Sequence, residues 1–359
     1  MKMFRLLLAF GLCAFAVSAQ TYHVFTMTNG TPNKVLMYTR GSNGALSLTA
    51  TTATGGNGSG GALGSQGSIL GVQKFVFAVN ATSNSISVLA MNVNTLTLTS
   101  TVSSNGTFPV SLTYSNDVIY VLNAAGAGSI SGFTVNRTNG SLSLIPGSTQ
   151  PLSGMPNSGA AEVGFTKSGN FLIVTEKATN SIDVYKVTGG VAGPPTTYSS
   201  NAPTPYGFAT GLNNRFYVTE GNATVVNGSS VSSYSLPDGV PHIISASVPT
   251  NQYAACWVVL NSANTVAYVA DNESSSVSVF SIDSGGHLAV VQTTSAPGNT
   301  FDNALSGDGL YYYQLITGTS SFEIVTYSVG AGGLLTEVPT PVVGTTSAIG
   351  LITLTAAGG

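Results

Sequence analysis

The sequence predicts an all-β fold, and three observations predict it. Only 6% of its 359 residues are charged while 43% are hydrophobic, which is too apolar for a disordered chain. Gly, Ser, Thr and Asn punctuate short runs rich in Val, Ile, Tyr and Phe, the residue types of turns and of pleated strands respectively. The third observation is a repeat. "FVFAVNATSNSISVLAM", "VIYVLNAAGAGSISGFTV", "FLIVTEKATNSIDVYKV", "FYVTEGNATVVNGSSVSSYSL" and "VAYVADNESSSVSVFSID" each read as an apolar strand, a polar residue, a turn of small residues and an alternating strand. "YHVFTMTNGTPNKVLMYTR" and "LYYYQLITGTSSFEIVTYSV" fit the same grammar at the two ends.

The residue closing the first strand of each unit marks the period. It falls at Asn29, Asn80, Asn123, Glu176, Glu220, Asp271 and, in the last unit, Leu315, at intervals of 51, 43, 53, 44, 51 and 44. A period in the forties, with several short strands per unit and no amphipathic helical segment, is the signature of β-propeller blades. Seven units predict a seven-bladed β-propeller.

Taken in order, residues 1–19 form a signal peptide. Lys2 and Arg5 precede an apolar run from Leu6 to Val17, and Val17 and Ala19 occupy the −3 and −1 positions of a cleavage site. The run is shorter than a membrane span, so residues 20–359 are expected to be exported as one propeller domain. The first unit lacks an innermost strand, because the mature chain starts there. In the second unit "SQGSIL", 65–70, is expected innermost, followed by "KFVFAVN", "SISVLAM" and "LTLTST". Later innermost strands read "PVSLTY", "AEVGFT", "YGFAT", "CWVVL" and "FDNALS". A spare C-terminal strand, "SAIGLITL" at 347–354, completes the first blade and leaves the ring without an open edge.

Charge narrows the partners. Removing Lys2 and Arg5 from 10 basic residues leaves 8 against 13 acidic ones, a formal charge of −5. With no basic patch, nucleic acid and anionic membranes are excluded as expected partners. Cys256 remains as the one thiol of the mature chain, so no internal disulfide or cysteine-based metal site is expected, and its place beside Trp257 in an apolar run reads as packing. Nine sequons begin at Asn29, Asn57, Asn80, Asn105, Asn136, Asn139, Asn222, Asn227 and Asn272. In a chain this rich in Asn, Ser and Thr they permit glycosylation without arguing for it.

The chain resembles the seven-bladed lactonase propellers, the family of 6-phosphogluconolactonase and 3-carboxymuconate cyclase, in its secreted branch. The phrases that carry the resemblance are "TGGNGSGGALGSQGSI", "SGNFLIVTEKATNSIDVY", "VPTNQYAACWVVLN" and "AYVADNESSSVSVFSID". The resemblance implies an enzyme that forms or opens a lactone ring on a small organic or sugar acid, with Glu176 or Glu220 standing for the family's glutamate. The segment before Glu176, "NSGAAEVGFTKSGN", holds no histidine.

Propeller geometry suggests a site. Loops leaving the second strands share a face with the starts of the innermost strands, so the marker residues should gather at one mouth of the central channel. Glu176 and Glu220 are the expected catalytic carboxylates there, because moving a proton during lactone chemistry needs a positioned acid or base. Lys177, Gln66, Glu162, Asp302 and Asn303 are the expected substrate-binding residues. A hard cation, Ca²⁺ or Mg²⁺, would take oxygen ligands from Glu162, Glu176, Asp271 and Asn303. The competing structural reading is that the marker side chains cap turns, most of all Asp271 before "NESSS". Two function classes therefore stay open for an exported monomer of the periplasm, cell wall or medium. One is a lactonase or cyclase acting on a small molecule. The other is a non-catalytic secreted glycoprotein, an adhesin or antigen that binds a glycan or a protein.

Overall fold

A computed structural model describes residues 20–154, 156–222, 224–318 and 321–356; the expected signal peptide lies outside the described residues. Seven antiparallel sheets make seven blades. Innermost strands are Ile69–Val72, Pro109–Ser115, Ala160–Phe165, Pro205–Thr210, Ala255–Leu260 and Thr300–Leu305 in blades 2 to 7. Blade 1 takes its innermost strand from the other end of the chain: Ile349–Ala356 pairs with Thr21–Met27, and Thr21 faces Ala356 across the ladder. No helix of the described residues is long and apolar enough to cross a membrane.

Burial explains the strand sequences. Second strands such as Phe75–Asn80 and Val266–Asp271 are buried at every position, because neighbouring blades cover both of their faces. They accordingly read as continuous apolar runs. Outermost strands such as Thr95–Ser103 alternate polar and apolar with one face in solvent. The core is a set of apolar layers between blades. Val24, Leu36 and Tyr38 of blade 1, for example, pack with Tyr313, Leu315 and Ile324 of blade 7.

The innermost strands of blades 3 to 7 share a local irregularity that matters for the channel. The pairing slips between Pro109 and Ser111, Ala160 and Glu162, Pro205 and Phe208, Ala255 and Trp257, and Thr300 and Asn303. Each slip is a bulge near the strand's start, and a bulge re-aims the side chains that follow it.

The structure corrects three expectations. The innermost strand of blade 2 begins at Ile69, not at residue 65, because the residues before it run across the channel. The markers of the end blades are misplaced: where Ala160 faces Glu176 and Ala255 faces Asp271, the equivalent partners are Met27 for Ile349 and Ile316 for Thr300, so Asn29 and Leu315 stand out of register. Finally, Asn29 and Asn80 are buried with their amides hydrogen-bonded inside the protein, so the folded chain cannot present these two sequons for glycosylation.

Candidate functional site

The marker carboxylates point into their own blades. Glu220 is fully buried and accepts hydrogen bonds from Ser232 Oγ at 2.6 Å, Ser247 Oγ at 3.1 Å, the Ala202 N–H at 3.2 Å and the Ser230 hydroxyl. Glu176, equally buried, accepts from Ser153 Oγ at 2.6 Å, Thr179 Oγ1 at 2.8 Å and the Ser153 N–H at 3.1 Å. Asp271 accepts from Ser278 Oγ at 2.7 Å and Ser276 Oγ at 3.4 Å, and burial pushes its carboxyl up to about 7. Asn80 meets the matching pair with the direction reversed, its Nδ2 donating to Ser85 Oγ at 3.1 Å and Ser87 Oγ at 2.7 Å. A serine pair on the third strand thus serves Asn80, Glu220 and Asp271.

Blade 4 departs from the pattern. Its third strand has Asp183 where the others have the second serine, and Asp183 sits beside Glu176. Thr197 Oγ1 donates to Asp183 Oδ1 at 2.6 Å, while Oδ2 has no donor. Burial first, and the Glu176 charge with it, push the Asp183 carboxyl up to about 7, so Asp183 holds its proton to near neutral pH beside Glu176.

At the mouth itself lies backbone. Residues 61–67 cross the channel and are stitched to several blades. Ser65 Oγ donates to Val110 O at 2.9 Å in blade 3, and the Gln66 N–H to Ala161 O at 3.1 Å in blade 4. The Gln66 amide pairs with both backbone groups of Val258 in blade 6, at 2.9 and 3.0 Å. A side chain at residue 207 would collide with it, since a Cβ there would lie 2.2 Å from Gln66 Oε1; Gly207 leaves the space. Trp257 Nε1 donates to Ser65 O at 3.0 Å, and Lys177 Nζ to Gly64 O. Lys177 also stands 4.5 Å above the Tyr206 ring, and its burial lowers the amine to about 8. Tyr206, Trp257 and Phe301 form a continuous aromatic wall, with ring centroids 5.2 and 5.0 Å apart.

Beneath this crossing segment the channel holds Glu162 and Asp302, both buried. Glu162 Oε2 accepts the Phe208 N–H at 2.6 Å, and its other oxygen accepts nothing from the described residues. Burial pushes the Glu162 carboxyl well up, and the charge of Asp302 adds to the effect. Asp302 is pushed up to about 8 by burial, against a hydrogen bond from the Gly350 backbone. Glu162 lines a cavity of about 300 Å³ whose wall includes Thr113, Ser115, Lys167, Phe208 and Thr210. The far ends of the innermost strands form its rim, so it opens on the face opposite the expected mouth.

The expected site residues are thus divided among three places. Glu176, Glu220 and Asp271 lie inside blades. Asn303 turns between blades 6 and 7, where its Nδ2 donates to Tyr268 O at 3.4 Å. Only Glu162 and Asp302 share the channel, with Gln66 and Lys177 tied to the segment that closes it. Among the described residues no three His, Cys, Asp or Glu side chains come close enough to hold a metal ion, and the four ligand candidates are dispersed. The aromatic wall was missed, although an aromatic residue recurs at the start of three successive innermost strands. Cys256 is buried as expected, which pushes its thiol up.

Residues 15–155 match the family model described as "Lactonase, 7-bladed beta-propeller". Over that stretch the chain is similar to the lactonase propellers. Solved structures agree on the architecture. A candidate 6-phosphogluconolactonase of Bacteroides fragilis is 19% identical, with a TM-score of 0.71 over 95% of this chain and 99% of that one. The periplasmic gluconolactonase of Pseudomonas aeruginosa is 15% identical, with a TM-score of 0.72 over 95% and 99%. A Lactobacillus plantarum protein reaches a TM-score of 0.75 at 16% identity, over 94% and 100%. At such identities the likeness carries the β-propeller fold and not the activity or the substrate. No curated protein matches the sequence.

Proposed function

We propose that the chain is an exported enzyme that opens or closes the lactone ring of a small organic or sugar acid, with Glu162 in the axial cavity as its acid–base group. One observation supports this above others. A buried carboxyl with one oxygen fixed by the Phe208 N–H and the other free of protein donors lines an open cavity of about 300 Å³, at the lower end of the size range of small-molecule sites. Its raised pKa makes Glu162 a stronger base than an ordinary glutamate.

In ring opening, the Glu162 carboxylate takes a proton from water as the water oxygen bonds to the lactone carbonyl carbon. The bond from that carbon to the ring oxygen then breaks, and the ring oxygen takes the proton from Glu162. Ring closure is the same path reversed. Thr113 Oγ1 accepts the Phe165 N–H at 3.0 Å and so keeps its own proton for the developing oxyanion. Lys167 at the rim supplies positive charge for an acidic substrate. Glu176, Glu220 and Asp271 act in this reading as internal caps. Export is supported by the leader-like first nineteen residues and is checked by amino-terminal sequencing, with Gln20 expected first.

The decisive experiment is a lactone panel, run with and without Ca²⁺ or Mg²⁺, on the purified protein and on Glu162→Gln. Turnover that falls about 10²- to 10⁴-fold in a folded variant is the expected result. Equal turnover in the variant refutes the role of Glu162. The alternative, a secreted glycoprotein that binds a glycan or protein partner, draws on the exposed sequon residues Asn57, Asn105, Asn136, Asn139 and Asn227. Silence across the panel together with glycan or cell-surface binding would favour it.

A further inference from the structure

The segment that closes the channel covers groups that a folded core has no need to bring together. Lys177, Tyr206, Trp257, Phe301 and Asp302 converge from blades 4 to 7 on residues 62–65. An ammonium donor, a flat aromatic wall and a carboxyl are the recognition set of a ring that carries both hydroxyl and carboxylate groups. What fills the set is the chain's own backbone. Gly64 O takes the Lys177 ammonium and Ser65 O takes the Trp257 indole N–H.

The segment is also built to move. It is anchored upstream where Asn29 Nδ2 donates to Gly61 O at 2.6 Å, and downstream at Gln66. Between the anchors, its walls hold it by the two carbonyl contacts just named, by the Ser65 hydroxyl on Val110 O and by Leu63 against the core. Gly60, Gly61, Gly64 and Gly67 lie in or beside the span, and a Cβ on Gly60 or Gly61 would touch nothing. Gly60, Gly64 and Gly67 have φ of 80°, 62° and 81°, positive angles that glycine adopts without the strain of a side chain. Beneath it a void of about 10 Å³ lies among the strap, Trp257, Phe301 and Asp302, and Ser68 Oγ, buried at its edge, has no hydrogen-bond partner among the described residues.

We propose that residues 62–65 are a displaceable strap over a second ligand site, one that takes a carboxylate-bearing sugar ring in place of the Gly64 and Ser65 carbonyls. The ligand carboxylate pairs with Lys177, its ring face stacks on Trp257, and a hydroxyl reaches Asp302. This site lies at the opposite end of the channel from the Glu162 cavity and does not depend on the reaction proposed there.

The protein carries its own probe, because Trp257 is its one tryptophan. D-Glucuronate should change the Trp257 emission saturably and protect it from acrylamide, while methyl glucoside, which lacks the carboxylate, should not. Lys177→Met should abolish the glucuronate response and, with the strap untied, shift the emission to the red; Lys177→Arg should keep the response. No saturable change in the unaltered protein overturns the proposal, as does an equal response to the neutral sugar. If Lys177→Met does not fold, the unaltered protein and Lys177→Arg decide the matter alone. The readout is fluorescence, so an inactive lactone panel leaves this outcome independent.

Discussion

Replacing Asp183 by asparagine tests how blade 4 holds two carboxyl groups in one apolar layer. Asp183 and Glu176 are both fully buried, and Asp183 Oδ2 has no donor of its own. A proton on Oδ2 would therefore let Asp183 donate to the Glu176 carboxylate beside it. With the Asp183 carboxyl pushed up to about 7 in the fold and about 3.9 in the unfolded chain, the raised value corresponds to a few kcal/mol. The sign follows from linkage. Below about pH 4 both states hold the proton and the pair costs nothing. As pH rises toward about 7 the unfolded chain releases the proton and the folded one keeps it, so stability falls and stays lower above. Asparagine imitates the protonated acid, because its Nδ2 can donate to Glu176 at any pH. Urea unfolding at pH 5 and pH 8 should therefore show a fall for the unaltered protein that shrinks in Asp183→Asn, and the variant should be the more stable at pH 8 by a few kcal/mol. Parallel pH profiles for the two proteins would refute the proton held by Asp183.

Other outcomes follow from the same geometry. Asp271 and Asp302 are also raised by burial, to about 7 and about 8, whereas Arg40 holds Asp308 well below the usual carboxylate range; thermal melts should thus be highest near about pH 4 to 5 and decline on both sides. Arg40 pairs with Asp308 through two hydrogen bonds of 2.9 and 2.6 Å and lies over the Tyr22 and Tyr311 rings, so Arg40→Met should cost about 3 kcal/mol or more in denaturant unfolding by parting blades 1 and 7. Glu220→Gln should lower stability by about 1 to 3 kcal/mol, since one acceptor oxygen becomes a donor facing serine hydroxyls, and should leave any lactone turnover intact. A loss of turnover in a folded Glu220→Gln protein would instead return that carboxylate to the chemistry.

The architecture was legible because it is written in repetition. Seven apolar second strands, the spacing of their closing residues and the missing and spare strands at the two ends all follow from burial between blades. The direction of the marker side chains was harder to read. The serines two apart in "SISV", "SVSS" and "SVSV" are the one local sign that donors await the marker inside the blade, and Asp183 in "SIDV" is the place where that sign changes. The residue after the marker, Lys177, faces the mouth as strand alternation requires. Residues 65–70 looked like a strand because they end in "SIL", yet "GGALGSQG" before it is too rich in glycine to pair and spans the axis instead. Glu162 and Asp302 were placed at strand starts correctly, but bulges in those strands decide that they look along the channel.

Because Thr21 and Ala356 are ladder partners, the ring of blades does not depend on the point at which the chain is open. Joining those two ends and opening the chain in a surface turn, such as the one after Ser103 between blades 2 and 3, would keep every sheet while changing which blade is shared. In the natural order the first blade to be synthesised is the last to be completed. Until its closing strand emerges, Thr21–Met27 presents an unpaired, largely buried-type edge, a template for pairing with another chain. A permuted protein whose shared blade lies elsewhere would move that vulnerable interval to a different moment of synthesis.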